Sequence, residues 1–177
     1  TSATGPIMFG LDGMNQAAYA AGQPIPNIIG MAFSYSMTIA VLYPAFALAV
    51  LIFSKSNQLK TVGKISIAPA FFGISEPLMF GVPVVMNPFM AIPWIISPTV
   101  NVLLGWLACS SGLVARYAGV TVFNFPMGVT GILNGSFTIA ILEVVVCIID
   151  VLIFMPFVRI QDKKYIDAEK AAETEQN

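Results

Sequence analysis

The chain has 177 residues, of which 57% are hydrophobic and only 10% charged, with a formal net charge of −1. A soluble domain carries about a quarter charged residues, so water is the wrong solvent for this chain. With no basic stripe to neutralise phosphates, nucleic acid is excluded as a partner.

Histidine is absent. That removes the usual general base, the commonest metal ligand and the usual phospho-acceptor of a relay, and no metal or cofactor is expected. Cys109 and Cys147 lie far apart in apolar surroundings without CxxC spacing, so they read as small buried hydrophobes and not as a redox pair. The opening run Thr1-Ser2-Ala3-Thr4-Gly5-Pro6-Ile7 has no basic region ahead of an apolar core and does not resemble a signal peptide. The chain reads as starting inside something longer.

The charges are segregated. Residues 13–54 contain none, residues 65–115 contain only Glu76, and residues 117–142 again contain none. Uncharged apolar runs beyond about 18 residues are transmembrane candidates. Residues 1–27 are mixed and end in the turn-forming run Gly22-Gln23-Pro24-Ile25-Pro26-Asn27, a turn or linker leading into the next helix; the family resemblance given below implies that they also end an upstream hairpin. The first span is predicted from Ile28 to Phe53, with Pro44 as a kink. A polar loop, Ser54–Lys64, carries Lys55, Lys60 and Lys64, a cluster expected on the cytoplasmic side.

Residues 65–87 are apolar but broken by Gly73, Pro77, Gly81 and Pro83. The second span is predicted at Pro88–Ser110, bent by Pro93 and Pro98 with Trp94 near one interface. Residues 111–135, interrupted by five glycines and Pro126, are expected to be broken, re-entrant or partly extended. The last span runs over Phe137–Val158, and residues 159–177 form a polar cytoplasmic tail, a solvated helix or linker. With the cations inside, either 65–87 and 111–135 both cross the bilayer or neither does; their helix breakers favour the latter. The expected fold is an all-α integral membrane protein, with transmembrane helices and a re-entrant helical hairpin over residues 28–158, the part that the family resemblance given below implies is a transport domain.

Glu76, in Gly73-Ile74-Ser75-Glu76-Pro77, is the residue that needs explaining. An ionised carboxylate in hydrocarbon costs about 2.5–3.5 kcal/mol on insertion scales, so it seldom faces lipid. Two half-helices over 65–75 and 77–87 would each reach about 16 Å, half of the roughly 30 Å apolar core. A turn at Ser75-Glu76-Pro77 would then set the acid near the midplane, where broken helices are tolerated only beside a cavity or inside protein. Pro77 suits that turn because it disfavours the helical conformation at Glu76, and it equally suits the first position of the returning arm. Gly73 and Gly81 would let the arms or a ligand come close. Ser75 supplies a hydroxyl and Asn87 an amide.

A carboxylate takes two hydrogen bonds side by side, which matches adjacent sugar hydroxyls. Phe71, Phe72, Phe80 and Trp94 could offer flat faces to the C–H side of a pyranose. The plainer reading, an acid capping a folded turn, is weaker, because structure alone rarely needs a charge at such depth. Glu143 and Asp150, seven apart, share a face of the last span and read as structural or inter-helix groups, Glu143 lining a cavity or pairing with a basic residue from elsewhere and Asp150 approaching the interface. Arg116 reads as a cation reaching for headgroups.

The run Ile65-Ser66-Ile67-Ala68-Pro69-Ala70-Phe71-Phe72-Gly73-Ile74-Ser75-Glu76-Pro77-Leu78-Met79-Phe80-Gly81-Val82-Pro83-Val84-Val85-Met86-Asn87-Pro88 resembles the signature of the membrane subunit, enzyme IIC, of bacterial sugar phosphotransferase systems. The likeness is greatest to the lactose/cellobiose/diacetylchitobiose branch. Ala21-Gly22-Gln23-Pro24, Ser54-Lys55-Ser56-Asn57-Gln58-Leu59-Lys60 and Leu133-Asn134-Gly135 support it. The resemblance implies an elevator-type disaccharide permease of the bacterial inner membrane. In it Glu76, with Ser75, Pro77 and Asn87, binds the sugar, and a separate phosphorylated enzyme IIB then modifies it.

No catalytic nucleophile is expected here, and Cys109-Ser110-Ser111-Gly112 ends a span instead of forming the cysteine loop of enzyme IIB. The family's N-terminal half, which builds the homodimer, and its hairpin histidine have no counterpart in this chain. A proton-coupled secondary transporter using Glu76, and a structural subunit in which the acids only join helices, are the competing readings.

Overall fold

The computed structural model describes residues 4–82, 84 and 87–175. Thr1 to Ala3, Pro83, Val85 and Met86 of the expected second arm, and the last two residues of the tail lie outside the described residues. The described residues are helical with irregular connections: α1 (Gly5–Ala20), α2 (Met31–Tyr35), a π-helical turn (Ser36–Ala40), α3 (Leu42–Phe53), α4 (Asn57–Phe71), α5 (Glu76–Gly81), α6 (Pro88–Ser110), α7 (Val129–Leu133) and α8 (Phe137–Glu175).

Among the described residues, three helical stretches are long and apolar enough to cross a membrane: Met31–Phe53, Pro88–Ser110 and Phe137–Ala171. They coincide with the three expected spans, because an apolar run of that length can satisfy its backbone in lipid only as a helix. In the first, the irregularity falls at Ser36–Ala40, just ahead of Pro44. Proline lacks an N–H and its ring crowds the carbonyl four residues back, here Ala40, so the helix widens before it reaches the proline.

The polar loop expected at Ser54–Lys64 is corrected: Asn57–Phe71 is one helix. Its start was masked by lysines, but Ser56 caps it by accepting from the Leu59 N–H at 3.1 Å, and its inner face buries Leu59, Gly63, Ser66 and Ala70. The core on this side joins α3, α4, α5, α6 and α8 through Phe46, Leu59, Leu78, Met90 and Phe154. A second cluster, Phe33, Met37, Cys109, Tyr117 and Ile139, ties α2 and the π-turn to α6 and α8. Large apolar side chains such as Ile95, Leu103, Ile148 and Leu152 stay exposed on the long helices, as a lipid-facing surface requires.

α1 is not a detached linker. Asp12 accepts from the Ala32 N–H at 2.9 Å and from the Thr121 hydroxyl at 2.8 Å, and the Asn15 amide donates to Asn27 O and Tyr117 O. Arg116, expected to reach for headgroups, instead donates to the carbonyls of Ile25 and Pro26 at 2.8 and 2.9 Å. Residues 4–27 are therefore held onto the body of the protein from both sides.

Candidate functional site

α4 and α5 pack against each other as two helical arms, and the turn between them lies ahead of the expected one at Ser75-Glu76-Pro77. The arms have 15 and 6 residues, not two equal ones, and the chain turns at Phe72–Ser75. The Ile74 N–H bonds back to Pro69 O at 3.0 Å and the Gly73 N–H to Ala70 O at 3.0 Å, closing α4 on a glycine with φ of 74°. Glu76, expected in the turn outside the helical region, is the first residue of α5, with Pro77 beside it in the first turn. Proline tolerates that position because the N–H it lacks would be unpaired there anyway. Gly81 lets the arms meet, since a Cβ on it would lie 2.6 Å from Cγ1 of Val62 on α4.

Glu76 is exposed, and among the described residues no side chain or backbone N–H hydrogen-bonds to its carboxylate. Ser75 and Pro77 beside it are half-buried. Asn87 has a structural task that the sequence reading did not assign: its carbonyl oxygen caps α6 by accepting from the Phe89 N–H at 3.1 Å, and its amide donates to Gln161 on α8 at 2.9 Å. Both ends of the side chain are thus engaged within the protein.

The hairpin tip rests against residues that sequence reasoning did not select. A Cβ on Gly73 would lie 2.8 Å from the Tyr35 hydroxyl and 3.6 Å from Oδ1 of Asn124. The Tyr35 hydroxyl in turn accepts from the Asn124 N–H at 2.7 Å, holding Asn124 at a φ of 58°, and the Tyr35 ring meets Phe123 edge-on at 5.1 Å. Phe72, Phe123 and Phe125 are 49%, 55% and 40% exposed, so flat apolar faces stand free around the tip. The one legible signal was Phe123-Asn124-Phe125-Pro126 itself, two aromatics flanking an amide in an otherwise glycine-rich stretch. Trp94, by contrast, packs against Tyr43, Phe46 and Phe154 at centroid distances of 5.4–5.9 Å and belongs to the core.

Residues 111–128 form an irregular connection, neither a span nor a strand, and side chains from other elements pin it. Val120 and Asn134 exchange hydrogen bonds at 2.9 and 3.0 Å, Thr121 donates to Asp12, Tyr117 bonds Ser36 and the Gly128 N–H donates to Glu143. Irregular backbone in an apolar protein survives only where such partners exist. Glu143, fully buried, meets hydroxyls and a backbone N–H, and not the basic residue expected for it. Asp150 is likewise buried and accepts from the Asn101 amide at 2.7 Å, inside the helix bundle.

The family model described as "Phosphotransferase system, EIIC" matches residues 2–98. The oligo-beta-mannoside-specific EIIC component of the phosphotransferase system of Bacillus subtilis (strain 168) is 37% identical, the match covering 93% of this chain and 39% of that protein. The lactose-specific EIICB component of Lacticaseibacillus casei is 33% identical over 95% of this chain and 30% of its own length. Among solved structures, that of the transporter ChbC, the IIC component from the N,N'-diacetylchitobiose-specific phosphotransferase system, superposes with a TM-score of 0.88. It is 36% identical and is covered over 40% of its length by 94% of this chain. The chain therefore spans about two fifths or less of the length of these relatives.

Proposed function

This chain belongs to the EIIC family of the phosphotransferase system, and from that premise we propose that it supplies the sugar-binding part of a disaccharide permease. The observation that carries the reading is Glu76: a carboxylate in a nearly charge-free segment, exposed at the start of α5, just after a turn whose Gly73 lies against Asn124, with Phe72, Phe123 and Phe125 also exposed. A buried acid used for folding is surrounded by donors, as Glu143 is; Glu76 keeps its acceptor capacity for something else. Two adjacent hydroxyls of a pyranose would fill it side by side, and the apolar C–H face of the ring would lie on an aromatic.

Ser75 would add a hydroxyl contact and Pro77 would fix the start of α5, while Asn87 would act through its cap, which sets where the segment after α5 ends. In the membrane of the cell, the α4–α5 hairpin would enter the bilayer without crossing it, and the tip would travel with its bound sugar as a rigid element, the elevator mode. A homodimer would provide the static frame for that movement. Phosphoryl transfer to the imported sugar would come from a phosphorylated enzyme IIB. The lactose-specific relative from Lacticaseibacillus casei is an EIICB component, which supports that partnership. Substrates of the β-linked disaccharide class fit the names of the relatives.

The test is uptake of labelled cellobiose, lactose and diacetylchitobiose by cells carrying the complete permease. Phosphoenolpyruvate-dependent appearance of the sugar phosphate supports the reading. Uptake driven by a proton gradient alone, with unmodified sugar inside, refutes it.

A further inference from the structure

α3 is apolar to its end at Phe53, and α8 carries no cation until Arg159. The two runs stop at the same level, since the Arg159 guanidinium sits over the Phe53 ring, 5.2 Å from its centroid. That level is where apolar spans give way to headgroups. Here a cleft of about 520 Å³ opens between the end of α3 and α8. Lys55, Arg159 and Lys163 line it, together with Ile52, Phe53 and Ile166.

The one acid in the cleft does not cancel its charge outward. Asp162 is buried, and its two oxygens accept from the backbone N–H groups of Lys55 and Ser56 at 2.8 and 2.9 Å. All three cations are exposed. Three positive groups therefore converge on a cleft whose other wall is apolar, and Ile52, 59% exposed, continues that wall along the exposed side of α3.

We propose that this cleft binds the phosphate of an anionic phospholipid, with an acyl chain lying along Ile52 and Phe53. A free phosphate or a phosphorylated protein partner would use the same cations but would gain nothing from the apolar wall, whereas a headgroup anchored by acyl chains uses both. The site is independent of the sugar-binding reading, since it lies at the α3–α8 end and shares no residue with the hairpin tip.

The experiment uses the full-length permease in mixed micelles or nanodiscs, with lipid retention counted by native mass spectrometry. Phosphatidylglycerol and phosphatidylcholine of identical acyl chains are the probes. The expected result is preferential retention of phosphatidylglycerol, weakened by salt and reduced about fivefold for each neutralised lysine in Lys55→Gln and Lys163→Gln. Lys170→Gln, exposed farther along α8, should leave it unchanged. Both tested lysines are exposed, so their loss should not impair folding, and the salt series on the unsubstituted protein gives a second, mutation-free reading. Equal retention of the two lipids overturns the proposal, as does an equal loss in Lys170→Gln. Displacement of phosphatidylglycerol by inorganic phosphate, or by phosphorylated enzyme IIB, assigns the cleft to a soluble anion or to the protein partner and also overturns it.

Discussion

The hydroxyl of Ser36 lies 2.5 Å from Oε1 of Glu143, joining the π-turn of the first span to the last helix across the interior. Thr130 donates to the same oxygen at 2.6 Å and the Gly128 N–H donates to the other at 2.5 Å. One carboxylate on α8 thus holds two other segments, the π-turn and the start of α7, and the Ser36 hydroxyl passes the connection on to Tyr117 at 2.9 Å. In an apolar interior each of these donors needs an acceptor, and the acid supplies it.

Glu143→Ala is expected to destabilise the protein by about 3 kcal/mol or more, because it leaves three buried donors unmet. Glu143→Gln keeps one acceptor oxygen and should lose less. Thermal unfolding of the full-length permease in detergent measures the order; an alanine variant as stable as the parent would refute the network's role.

Glu76→Gln should behave in the opposite way. No protein group bonds to the carboxylate among the described residues, so the melting temperature should stay within the range of a neutral surface change. Sugar affinity should fall at least tenfold, since hydrogen bonds to a charged acceptor are worth about 1.5–3 kcal/mol. Isothermal titration with the disaccharide, beside the melting curve, separates binding from folding.

Gly73→Ala puts a methyl group 2.8 Å from the Tyr35 hydroxyl, on a backbone with φ of 74°. The left-handed conformation costs a residue with a Cβ about 1–2 kcal/mol, and the clash pushes the hairpin tip away from Asn124. Reduced stability together with weaker sugar binding is expected. Unchanged binding would mean that the tip's seat on Tyr35 does not shape the site.

Asp12→Ala removes the acceptor for the Ala32 N–H and the Thr121 hydroxyl. A lost cap costs about 1–2 kcal/mol. Loosening of Thr121 should also open residues 111–128 to proteolysis before any other connection. Limited digestion with mass mapping reads this, and cleavage first in another connection would count against it.

The three spans and the singular position of Glu76 were legible without coordinates. The length of an uncharged apolar run, compared with the thickness of a bilayer, is a property of the chain taken in order. So is the isolation of one acid among glycines and prolines. The start of α4 was not legible, because three lysines made an amphipathic helix look like a loop; its buried face shows only when α3 and α5 lie against it.

Tertiary structure alone decided which acids are free. Glu143 and Asp150 look in sequence as conspicuous as Glu76, yet both are fully buried and hydrogen-bonded, while Glu76 stands exposed. A carboxylate's availability depends on the donors around it, and those come from afar: Ser36 and Glu143 are 107 residues apart, and Asn101 and Asp150 are 49 apart. Composition and spacing can say that a charge in an apolar chain must be compensated, but only the packing of distant segments determines whether the protein itself supplies the compensation or leaves it to a ligand.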